Sequence, residues 1–183
     1  MENGKVQQNG GKNECEGLQL CKEDLRSKLT PLQYQVTQEK GTERPYSGKY
    51  YKTTESGLYN CIVCGEELFS SEKKYHSGCG WPAFSDVIDR NKVNFKTDLS
   101  HVGPNLLLLA LKPDLARTEV SCARCGAHLG HVFEDGPKPT GKRYCVNSAA
   151  LDFRRTECHS DSNKNSSGEN SENHEENQSP GRI

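Results

Sequence analysis

Large apolar side chains are scarce in this chain of 183 residues: apolar residues make up 32% and the mean hydropathy is −0.88. The shortage is uneven. Residues 1–20 and 158–183 hold almost nothing to pack, so they cannot bury enough surface to offset the entropy cost of ordering. The expected organisation is a disordered arm (1–20), one folded domain (21–157) and a disordered polar tail (158–183). Long hydrophobic runs are missing as well. The longest, Leu106–Leu111, falls far short of the roughly 20 residues that cross a bilayer, so no membrane is expected. The opening Met1-Glu2-Asn3-Gly4-Lys5 leads into polar sequence without the apolar centre of a secretory signal, and the cytoplasm or the nucleus is the expected compartment. A strong charge of one sign is also absent. With a net charge of −1 there is no basic field to attract nucleic acid, and none is expected as a partner.

What the chain has in quantity is cysteine, nine in all. In a reducing compartment they are read as metal ligands or working thiols rather than as a disulfide framework. Cys61-Ile62-Val63-Cys64-Gly65 and Cys122-Ala123-Arg124-Cys125-Gly126 form a matched pair. Two intervening residues let both sulfurs of a tight turn reach one ion, and the glycine after each pair permits the backbone conformation such a turn needs. Together they supply four thiolates, a closed shell suited to one structural zinc ion. The alternative, a thioredoxin-type redox pair, is expected between a strand and a helix, whereas both copies here sit in strand-forming sequence.

Local patterns outline the rest. Lys22–Lys28 reads as a short helix; Thr30-Pro31 reads as an N-cap and first helical position of a second, running to about Gln38 and stopping at Gly41. From Leu58 the period changes to two. Val93–Thr97, Thr118–Cys122 and Tyr144–Phe153 favour strand, separated by turn-forming clusters, which predicts a mainly β, antiparallel domain with short N-terminal helices.

Three further clusters carry chemistry. On a strand, Arg143, Cys145 and Asn147 face one side. A guanidinium beside a thiol favours the thiolate, which is the nucleophile, and Asn147 can hold the site by hydrogen bonding. Cys145 is otherwise a buried structural cysteine. His128 and His131 follow the second knuckle as proton donors, as ligands, or as residues of a surface strand. In Ser77-Gly78-Cys79-Gly80-Trp81, glycines on both sides leave Cys79 free to move, and Trp81 is either an apolar wall beside it or a core residue in a turn.

These motifs, together with Leu29-Thr30-Pro31-Leu32-Gln33-Tyr34, Gly41-Thr42-Glu43, Gly126–Gly136 and Arg143–Phe153, resemble the B-type methionine-R-sulfoxide reductases from about Leu25 to Phe153. The resemblance implies two antiparallel sheets closed at one side by the zinc. It implies Cys145 as nucleophile and Cys79 as resolving cysteine, with Trp81 and Phe133 near the substrate methyl. His128, His131, Asp135, Arg143 and Asn147 match polar active-site positions. The implied reaction repairs oxidised proteins: Cys145, its pKa lowered by Arg143, attacks the sulfoxide and His131 or His128 protonates the departing oxygen. The sulfenic acid left on Cys145 condenses with Cys79, and thioredoxin reduces the disulfide. A monomer is expected. A non-catalytic zinc module that docks a protein explains the knuckles but not the other matched residues; a generic redox sensor has no use for the histidines or Trp81.

The resemblance breaks at an apolar insertion at about 102–116, where members of that family usually have a few residues. It is read as an extra helix or strand, a partner-binding loop, or a segment that damages the fold, and the sequence leaves the three open.

Overall fold

The computed structural model describes residues 21–100 and 116–156. The arm, the tail and all of the insertion except Ala116 lie outside the described residues.

Two helices open the described residues, α1 (Lys22–Lys28) and α2 (Pro31–Glu39). The start of α2 follows the sequence. Thr30 accepts from the Gln33 amide while the Gln33 side chain accepts from the Thr30 amide, and Pro31 occupies the first turn. At its end the left-handed residue is Lys40 (φ 56°) and not Gly41; the Gly41 amide then returns to the Gln35 carbonyl at 2.9 Å.

Among the described residues, nine strands make two antiparallel sheets. The smaller has the order β2 (Glu67–Ser70), β1 (Gly57–Cys61), β9 (Leu151–Arg155). The larger has the order β3 (Lys74–Tyr75), β4 (Ala83–Phe84), β8 (Arg143–Val146), β7 (His128–Phe133), β6 (Arg117–Cys122), β5 (Val93–Asp98). The core lies between them. Phe69 stacks on Phe84 (centroids 4.4 Å), Tyr59 meets Phe84 edge-on (5.1 Å), and Tyr144 closes on Phe69 (5.9 Å).

The run Tyr144–Phe153 departs from expectation. It is not one strand: β8 belongs to the larger sheet and β9 to the smaller, with a 3-10 turn at Ser148–Ala150 between them. The cause is distant in sequence. The buried carboxylate of Glu43 accepts from the amides of Ser148 (2.7 Å) and Ala149 (2.9 Å), so those amides serve a turn instead of a ladder.

The insertion leaves from the ends of neighbouring strands. β5 and β6 pair without a break from Val93↔Cys122 to Asp98↔Arg117. Phe84 is fully buried among aromatic rings, so Phe84→Ala is expected to cost about 3–5 kcal/mol in denaturant unfolding; a loss under about 1 kcal/mol would contradict this packing.

Candidate active site

Strand periodicity sorts the larger sheet into two faces. Tyr144, Val146, Val132 and Val120 point into the core. On the other face, register places His131 opposite Cys145, Phe133 opposite Arg143, and Glu119 opposite His131. His128 and His131 are three apart, so a regular strand would send them to opposite faces. A bulge prevents this: Gly130 pairs with Val120 but His128 with Ser121, which leaves one extra residue on β7 and returns His128 to the face of His131. The two rings meet at 5.5 Å.

Beside Cys145 lies a cleft of about 380 Å³. Trp81, Phe133 and His131 wall it, Asn147 adjoins Cys145, and Thr42 and Arg117 complete the rim. The Cys79 sulfur is 3.0 Å from that of Cys145, and the Ser77 hydroxyl donates to it at 3.0 Å. Two thiols this close share one proton. The hydrogen bond from Cys145, then those from Ser77 and the main chain at Trp81, bring Cys79 down to about 5 against the effect of burial. Cys145 moves the opposite way: the hydrogen bond to Cys79 and burial push it far up, and Arg143 only partly opposes them. Arg143 lowers the Cys145 pKa as expected, but the contact with Cys79 and burial outweigh it. With Cys79 in contact, the pair is anionic near neutral pH and the proton rests on Cys145.

Arg143 is held rigidly. Its guanidinium makes two hydrogen bonds to Asp135, at 2.8 and 2.9 Å, and lies 4.3 Å over the Phe133 ring. Asp135 is 63% exposed and fixes Arg143 from outside the cleft.

Each histidine has its own carboxylate. His131 Nε2 lies 2.8 Å from Asp98 Oδ2. Burial pushes Asp98 up, but the Ser100 amide and His131 outweigh it and hold the carboxyl below its usual range. His128 Nδ1 lies 2.8 Å from Glu119 Oε1, whose other oxygen takes the Lys40 ammonium at 2.7 Å. Burial of His128 exceeds the pull of Glu119 and lowers its pKa, which keeps it neutral at pH 7. His131 lines the cleft; His128, 2% exposed, stands behind it.

Glu43 frames the cleft. Its amide donates to Asn147 Oδ1 (3.0 Å), its carbonyl accepts from the Trp81 indole (3.1 Å), and its carboxylate shapes the turn after Asn147. Asn147 Nδ2 in turn donates to the Leu129 carbonyl (3.0 Å). Both amide atoms of Asn147 thus tie backbone segments together at the cleft floor.

Away from the cleft, the sulfurs of Cys61, Cys64, Cys122 and Cys125 all lie within 4.8 Å of one another, positioned to hold a metal ion. Cys61–Cys125 and Cys64–Cys122 are each 3.6 Å apart. A tetrahedral ion with 2.3 Å bonds to sulfur requires edges of about 3.8 Å, so the donor set fits. Gly65 (φ 73°) and Gly126 (φ 74°) supply the left-handed residue of each knuckle, with open space around them, so backbone conformation alone calls for glycine. Cys61 ends a strand of one sheet and Cys122 a strand of the other.

Residues 29–155 match the model of the SelR domain. The chain belongs to the SelR domain family. It is 62% identical over 141 residues to Methionine-R-sulfoxide reductase B1 of Drosophila melanogaster, covering 77% of this chain and 68% of that one. It is 53% identical over 131 residues to Peptide methionine sulfoxide reductase MsrB of Hahella chejuensis (72% and 86% covered), and 50% identical over 140 residues to the protein of that name from Methanosarcina barkeri (76% and 90%).

In this SelR domain, Cys145, Cys79, Trp81, Phe133, His131, Arg143 and Asn147 converge on one cleft or its wall. Asp98, Glu119, Lys40 and Glu43 were not singled out from sequence as site residues. For Glu119 a signal existed: in Arg117-Thr118-Glu119-Val120-Ser121-Cys122 it shares the polar face that meets β7, and a buried acid there needs a partner.

Two outcomes test these electrostatics. In Cys145→Ala, Cys79 loses its main stabilising hydrogen bond, so its alkylation, followed by peptide-resolved mass spectrometry, should move from a midpoint near 5 to higher pH; an unmoved midpoint would refute the shared proton. In Glu119→Gln, the pKa of His128 by NMR titration should fall further, since the charge opposing burial is gone; a rise would contradict the pairing.

Proposed function

We propose that this SelR-domain protein is a peptide-methionine (R)-S-oxide reductase in which Cys145 is the nucleophile and Cys79 resolves its oxidised form. The observation that carries the reading is the sulfur pair, 3.0 Å apart, at a cleft walled by Trp81 and Phe133 with His131 across from Cys145. Trp81 and Phe133 offer an apolar seat for the methyl group on the substrate sulfur. As the sulfoxide enters, the pair's one proton passes from Cys145 to Cys79 and Cys145 presents its thiolate, stabilised by Arg143. Attack on the substrate sulfur forms an S–S linkage while the S–O bond breaks, the oxygen leaving as water after protonation by His131, whose ring is held by Asp98, and a second proton from solvent. Hydrolytic collapse releases methionine and leaves a sulfenic acid on Cys145. Cys79 then condenses with it, and an external dithiol, thioredoxin, reduces the disulfide by exchange. His128, buried and neutral, orients rather than donates.

The ion proposed for the four cysteines is a single structural zinc. Its shell is closed by Cys61, Cys64, Cys122 and Cys125, so it supplies folding energy and no reactive position. We further propose a monomer that repairs oxidised proteins under oxidative stress in the cytoplasm or nucleus, compartments where thiols stay reduced. The proposed folded unit is one domain (21–157).

Turnover of separated R and S epimers of a peptide methionine sulfoxide, with dithiothreitol as reductant, should show reduction of R alone, and Cys145→Ser should abolish it. Reduction of S, or activity without Cys145, would overturn the assignment. Chelation of the metal should unfold the domain by circular dichroism; a stable, active metal-free protein would refute the structural role.

A further inference from the structure

Tyr46 is an anomaly. It is 62% exposed, yet its backbone sits at φ 65°, a conformation that a bulky side chain adopts at a cost. Burial does not repay that strain. What the conformation does is aim two donors at one loop. The Tyr46 amide donates to the Gly80 carbonyl at 2.6 Å, and its hydroxyl donates to the Gly78 carbonyl at 3.0 Å. The residue between those carbonyls is Cys79.

The loop is shaped to receive this clamp. Gly78 (φ 76°) and Gly80 (φ 95°) both take conformations that side-chain-bearing residues avoid. Any Cβ on Gly80 would come within 2.7 Å of Pro45 Cβ, so the loop lies directly on the Pro45–Tyr46 segment. Tyr46 is braced in turn by Tyr51, edge-on at 5.4 Å. Two glycines give the loop freedom; the bonds from Tyr46 remove it in the position where the two sulfurs meet.

We infer that Tyr46 is a positioning residue for the resolving step, holding the 77–80 loop so that Cys79 stays within reach of Cys145. The inference rests on the reading of Cys79 as the resolving thiol. In that step the Cys79 thiolate attacks the sulfenic sulfur of Cys145. The S–S bond forms, the S–O bond breaks, and the oxygen leaves as water after taking one proton from the cleft. Cys79 is oxidised and the Cys145 sulfur reduced. Methionine release precedes this step and does not need the clamp.

The test separates the two steps. Enzyme is mixed with excess peptide methionine-R-sulfoxide without reductant, and methionine and the Cys79–Cys145 disulfide are followed in time. Tyr46→Phe removes only the hydroxyl. Tyr46→Asn removes the ring while retaining a residue that tolerates a left-handed backbone. Cys79→Ser is the reference. Both Tyr46 variants should release the first methionine at the wild-type rate. Disulfide formation should slow by roughly two- to tenfold in Tyr46→Phe, the worth of one hydrogen bond, and by more in Tyr46→Asn. Wild-type disulfide rates in both variants, with none formed in Cys79→Ser, would overturn the clamp alone. Undiminished thioredoxin recycling in Cys79→Ser would remove the reading beneath it. A structural defect would depress methionine release and disulfide formation together, which would also count against the inference.

Discussion

The register of β7 against β8 is the constraint on which the rest depends. It sets His131 opposite Cys145 and Phe133 opposite Arg143. Because side chains alternate, a slip of one residue would turn Cys145 into the core and bring Tyr144 out to the cleft. The core prevents that slip: Tyr144 and Val146 are fully buried, and the alternate residues of β8 are thereby committed to the reactive face. The same side-chain alternation that packs the interior thus builds the site.

Two devices hold that sheet in relation to the rest. At one end, the four cysteines draw together the ends of β1 and β6, strands of different sheets. At the other, Glu43 ties the turn after Asn147 to the Trp81 indole through a single residue. The first is built from two local turns and the second from one buried carboxylate. Between them, the cleft walls are fixed from both sides while Cys79 rides on a loop with two glycines. A nucleophile fixed in the sheet, facing a second thiol that a separate loop holds within reach, suits chemistry that passes oxidation from one sulfur to the other.

Features encoded within a few residues were legible in the sequence. Both knuckles, the Thr30–Gln33 cap and strands β5 and β6 depend on neighbours in the chain, so spacing and alternation suffice to find them. Features set by distant partners were not. The break between β8 and β9 is made by a carboxylate 105 residues before Ser148. The bulge that turns His128 toward His131 leaves no trace in a pattern of period two. The meeting of Cys79 with Cys145 spans 66 residues, and only family resemblance suggested it. Once that contact exists, Arg143 still lowers the Cys145 pKa, but a second thiol at 3.0 Å together with burial outweighs the guanidinium. Charge arguments drawn from one strand hold only until the facing element is known.

The account centres on Cys145 as the atom that takes the oxidation from substrate. The most direct measurement is to treat Cys79→Ser with a peptide methionine-R-sulfoxide in the presence of dimedone and no reductant, then map adducts by mass spectrometry. The account predicts a dimedone adduct on Cys145, stoichiometric with methionine released. Methionine release with the adduct on another cysteine, or with no adduct at all, would contradict it.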